Sequence, residues 1–189
     1  MISSLYRNAC RPSHGSFCSR RSDGSFIAEA PLAIWALLFM FTLPFVDMAA
    51  TTLRYTFVVA AARDGVHEAA RSKTFAVDAS ATDLCAGNAA RLAVTRTASA
   101  FSEITVTRVD TRILETNITT KRVNIYATRL LVPADTSANL YEIETTVTGT
   151  INPLVTVNSY FPRIPGLTAA VPISVTAREY CEYPQGLNQ

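Results

Sequence analysis

The chain is poor in the side chains that most enzymes use. Two of its 189 residues are histidines, His14 and His67. No Ser-His-Asp set can be assembled around His67, and no His/Cys group has the spacing of a metal site. Its seven glycines form no loop of phosphate-binding spacing after a strand. No run of like charge occurs, and the net charge is only +2, which excludes the electrostatic footprint of a nucleic-acid partner. Internal repeats and low-complexity tracts are also missing, which excludes a solenoid. Glu142 and Glu144 share a strand face, a commonplace of solvated strands. The sequence is therefore read as non-enzymatic, with no cofactor and no metal.

The length suits one ordinary domain plus an anchor or tail. Composition is uneven along it. Long apolar residues of the first third crowd between Phe26 and Val59, whereas the rest is rich in Thr and Val with scattered Arg. That second composition belongs to strands with one wet face, so Arg108, Arg112, Arg122 and Arg129 are read as that face or as a partner surface.

From Ala30 to Val46 there is no charge. As a helix this run would span about 26 Å, close to the hydrocarbon thickness of a bilayer. Arg7, Arg11, Arg20 and Arg21 precede it against Asp23 alone. The positive-inside rule then puts the N-terminus in the cytoplasm and everything after Asp47 outside. No small-x-small cleavage site follows the run convincingly, so it is read as retained. Helical spacing continues through Leu53, Phe57 and Ala61 and on to Val66, Ala69 and Ala70. One helix over about 27–75 is expected, apolar all round at first and amphipathic afterwards. Pro31 and Pro44 would bend it.

Four cysteines fall on the two sides of this segment. Cys10 and Cys18 would stay in a reducing compartment, while Cys85 and Cys181 would be exported. The exported two would be free to pair, at a gain of roughly 4–5 kcal/mol by loop entropy; two unrelated buried thiols are the other reading.

A carboxylate just inside a membrane helix is costly and calls for a reason. Glu29 is that carboxylate, and Gly24 stands five residues before it, after Arg20 and Arg21. A boundary charge and a linker glycine are one explanation. The order basic leader, Gly24, four residues, Glu29, apolar run also resembles the type III signal sequence of type IV pilins. The stretch GSFIAEAPLAIWALLFMFTLPFVDMAATTLRYTFVVAAARDGVHEAAR is similar to the TadE-like family, minor pseudopilins of bacterial tight-adherence (Tad/Flp) pili. Asp47 matches the family's acidic position at the end of the apolar run. Ala61, Ala62, Arg63, Asp64 and Gly65 match its small-small-Arg-acid-Gly close.

The resemblance covers about residues 20–72. It implies cleavage between Gly24 and Ser25 by a membrane-embedded prepilin peptidase, loss of leader 1–24, and pairing of Glu29 with the new amine of a neighbouring subunit. The implied partners are other pilin subunits, the Tad inner-membrane assembly platform and the lipid bilayer. The implied location is the bacterial inner membrane, with the domain in the periplasm and later in the pilus or at the cell surface, in assembly, secretion or adhesion. The alternative is an uncleaved single-pass membrane protein with an extracytoplasmic binding or scaffold domain.

The expected organisation is leader 1–24, long helix 25–75 and an extracytoplasmic domain 76–189. Thr82-Asp83 reads as a cap for a second helix over about 83–100. Strands follow. Ile104 and Val106 alternate, and the phase shifts near Arg108, which predicts a bulge. A turn lies near Asn117. A return strand takes Val123, Ile125, Ala127, Arg129 and Leu131, and Tyr141 to Ile151 alternates cleanly. Val155 with Val157, and Val171 to Ala177, are shorter strands, set apart by Pro162, Pro165 and Pro172. The expected class is α+β, pilin-like: a long N-terminal helix and a second helix on an antiparallel sheet.

Overall fold

The computed structural model describes residues 25–75, 85–154, 164–166 and 169–189. The fold is α+β: a long N-terminal helix, a second helix and a four-stranded antiparallel sheet of order β2-β1-β3-β4. Helix α1 runs Ser25–Ala70 and α2 Ala86–Ser99; the strands are β1 (Ile104–Asn117), β2 (Val123–Tyr126), β3 (Asn139–Ile151) and β4 (Val171–Tyr180).

The chain divides into two units, 1–40 and 41–189. Pro44 has no N–H to give the carbonyl of Met40, yet α1 continues through it as one helix. In the first unit α1 is apolar and uncovered: Leu32, Ile34, Trp35, Leu37 and Phe39 are all exposed. Among the described residues α1 is the one helix long and apolar enough to cross a membrane.

In the second unit, alternation and helical spacing converge on one core. Val58, Ala61 and Ala62 of α1 meet Val94 of α2, Val147 and Ile151 of β3, and Ile173 and Val175 of β4. Beyond them Val66, Ala69 and Phe75 pack with Ala90, Ile113, Ile143 and Leu187. The apolar stripe of α1 and the inward face of the sheet are thus two sides of the same dry layer.

The bulge lies where the phase shift put it, between Val106 and Arg108. The turn at Asn117 is organised by its own side chain, whose Oδ1 accepts from the N–H groups of Thr119 and Thr120. Four expectations need correction. Helix α1 ends at Ala70 rather than near Phe75, whose N–H is taken by the carbonyl of Gln189 in the C-terminal tail. Helix α2 begins later than 83, with Cys85 at the cap position and no side-chain cap. Its first N–H, on Ala86, bonds instead to the carbonyl of Thr74; Thr82 and Asp83 lie outside the described residues.

The return strand stops at Tyr126 rather than Leu131. After it Leu130 is buried and bonds its N–H to Leu187 of the C-terminal tail, which draws the chain off the edge. Pro172 does not break the chain but stands inside β4. It is tolerated because β4 is an edge strand. Val155, Val157 and Pro162 lie outside the described residues.

Candidate functional site

The first residues expected to matter stand at the start of α1. Gly24 lies outside the described residues; α1 is described from Ser25 onwards. Glu29 is exposed.

Asp47 is placed differently from a simple boundary charge. It is buried, 3% exposed, and its Oδ1 accepts the backbone N–H of Leu154 at 2.6 Å. Two turns on, Arg54 donates to the carbonyl of Asn152 at 2.6 Å. Between them the Thr51 hydroxyl donates to the carbonyl of Gly166 at 3.4 Å. One polar stripe of α1 therefore ties down the chain that leaves β3. It supplies partners for backbone groups that no strand takes up.

The Ala61–Gly65 run has a packing reason. Ala61, Ala62 and Gly65 are buried, Arg63 and Asp64 exposed. A Cβ on Gly65 would come within 2.6 Å of Val94 Cγ2 and 3.3 Å of the Ala90 carbonyl oxygen. The missing side chain is what lets α2 approach α1 so closely. Asp64 closes the same contact from outside, accepting from the Thr97 hydroxyl at 2.8 Å.

His67 sits on the solvent side of α1 with its Nδ1 2.8 Å from Glu179 Oε1 of β4. The hydrogen bond to Glu179, then its charge, raises the imidazole above its ordinary pKa of 6.5. The raised value means that the ion pair holds fully below pH 6.5 and is lost as pH climbs through the shifted value. An NMR titration should place His67 above 6.5 and, in Glu179→Gln, return it towards that value.

Cys85 and Cys181 are both buried, as free thiols. Burial pushes the Cys181 thiol up, so it is a poor nucleophile here. The four arginines singled out from composition, Arg108, Arg112, Arg122 and Arg129, are all exposed.

One cluster went unread in the sequence. Glu115 of β1 accepts from Asn139 Nδ2 and the Tyr141 hydroxyl at one oxygen. Its other oxygen accepts from the Tyr126 hydroxyl and Asn124 Nδ2. Burial pushes this carboxyl up, but the hydrogen bonds from Tyr126, Tyr141 and Asn124 outweigh it and hold it below the usual range. Cross-strand register was the missing signal, since Glu115 pairs with both Asn124 and Tyr141. With four donors on one carboxylate the cluster ties three strands together.

Among the described residues no three His, Cys, Asp or Glu side chains gather as metal ligands. No family model, no curated protein and no solved structure matches this chain.

Proposed function

We propose that this chain is a minor pilin subunit, a pseudopilin of the TadE-like kind, in a Tad-type type IV pilus. It would be made as a precursor, cut between Gly24 and Ser25 by prepilin peptidase on the cytoplasmic side, and assembled through its apolar helix. What supports the reading is one juxtaposition. Gly24 stands five residues ahead of Glu29; Glu29 directly precedes an uncharged run on helix α1, and the second half of that helix is built into an α+β domain.

The chemistry of such assembly follows from those residues. Glycine leaves the scissile bond open to a protease. Cutting after it creates an α-ammonium at Ser25. A lone carboxylate in lipid is costly, and pairing with a neighbour's ammonium relieves that cost. Glu29 would thereby set the register between subunits while the exposed apolar face of 30–46 packs against their helices. Asp47 and the Ala61–Gly65 run would fix the domain to the end of that helix, outside the membrane.

The reading makes Glu29 an assembly residue. Glu29→Ala and Glu29→Gln should both lower subunit–subunit cross-linking in native membranes by about tenfold, the equivalent of some 1.4 kcal/mol, with membrane insertion unchanged. Undiminished cross-linking in both variants would remove Glu29 from assembly.

A further inference from the structure

Strand β1 is far longer than its outer neighbour. Only Ile113 to Thr116 are paired with β2. From Ile104 to Arg112, β1 is bonded to β3 on one side and, among the described residues, to no strand on the other. No residue of that stretch is buried, whereas Ile113 and Leu114, beside β2, are.

The register gives the direction of each backbone group. Asn117 donates its N–H to Arg122 across the turn, so Glu115 and Ile113 face β2 as well. Counting back by twos, Thr111 and Val109 present N–H and C=O to the open edge. The bulge then shifts the phase. Thr105 stands opposite Thr150 and faces β3, which turns Val106 and Ile104 outwards. Among the described residues these four form a ladder rail with no second rail.

Helix α2 walls this rail. Two depressions of about 360 and 250 Å³ lie between them and share Arg91, Arg108 and Val109. Thr111 lines the second, and its hydroxyl is buried with no hydrogen-bond partner. Arg91, Arg108 and Arg112 contribute three positive charges to the lining against the single carboxylate of Asp110, which Arg108 already holds at 2.8 Å. Among the described residues Arg91 donates to neutral Asn88, and neither Arg91 nor Arg112 forms an ion pair.

The other free edge of the sheet is treated differently. Pro172 of β4 stands opposite Thr150, which faces β1, so the proline nitrogen points outwards. That is the usual way to blunt an edge. The open part of β1 has no proline. Its arginines would also oppose the same edge of a second copy, which disfavours self-pairing.

We propose that the open edge of β1, from Ile104 to Arg112, accepts an extended acidic polypeptide segment as an added strand, seated between β1 and α2. Backbone pairing would supply the affinity over about 30 Å of strand. Arg91 and Arg112 would supply the choice of an acidic partner. The proposal is independent of the pilin reading, because it needs only the folded domain.

The full chain in lipid nanodiscs should be titrated with a short labelled peptide of alternating glutamate and valine, followed by anisotropy and amide hydrogen exchange. Binding is expected, with new protection at the amides of Val109 and Thr111 and weakening at high salt. A peptide with lysine for glutamate should not bind. Thr111→Pro removes an outward N–H without touching the β3 ladder and should weaken binding. Arg91→Glu with Arg112→Glu, which leaves every backbone group in place, should weaken it about tenfold or more, the effect of losing close charge pairs. The proposal is overturned if the glutamate peptide does not bind or binds no better than the lysine one. It is equally overturned if the protected amides lie on β2 or β4.

Discussion

Gly149→Ala is expected to destabilise the domain by about 3 kcal/mol or more, the upper end of what overpacking costs. Gly149 stands near the C-terminal end of β3, opposite Val106 and beside the bulge at Thr107. A Cβ there would be driven into the carbonyl oxygen of Thr105 and against the Cα of Val106. Those are backbone atoms in a paired strand, so no side chain can swing away to make room. Relief requires β1 and β3 to part where Ile151 and Ile104 close the core. Urea unfolding of the detergent-solubilised chain should show the loss as a lower midpoint. A change below about 0.5 kcal/mol, the range of neutral surface changes, would mean that the two strands are not packed this closely.

Asp47→Ala is expected to cost about 1–3 kcal/mol, the penalty for stranding a buried donor. The variant leaves the N–H of Leu154 with no acceptor. Asp47→Asn keeps an oxygen in the same place and should lose distinctly less. Arg54→Ala, which strips the carbonyl of Asn152 of its donor, should resemble Asp47→Ala. The direct readout is hydrogen exchange, with the Leu154 amide losing protection in Asp47→Ala and keeping it in Asp47→Asn. If both variants lost it equally, the charge of Asp47 rather than its acceptor oxygen would be the important property. If neither did, α1 would not hold the end of β3.

Much of this fold can be read from periodicity because the pattern and the packing agree. The bulge is the clearest example: an extra residue at Thr107 flips which side chains face the core, so Ile104 and Val106 fall out of phase with Val109 and Ile113. The long stripe of α1 and the alternation from Tyr141 to Ile151 are legible for the same reason. What stays hidden depends on partners far along the chain. Asp47 and Leu154 are separated by 107 residues, so the aspartate looks like the end of an apolar run rather than a buried acceptor.

The end of β2 is hidden likewise. Ala127, Arg129 and Leu131 continue the alternation, but the tail at Leu187 captures Leu130 instead. Leu131 is left 97% exposed. The Ala61–Gly65 run shows the opposite case. It drew attention as a resemblance to a family motif. Its Ala and Gly positions are buried where α1 packs against α2 and the sheet, so a structural demand alone can account for them.

The central claim is that this chain is a precursor whose leader ends at Gly24. Its most direct test is the N-terminus of the protein isolated from its native membrane, by intact mass and terminal-peptide mass spectrometry, with Gly24→Ile as control. The account predicts a chain that starts at Ser25 and a control that keeps its full length. A chain that starts at Met1, in cells with an active prepilin peptidase, would contradict it.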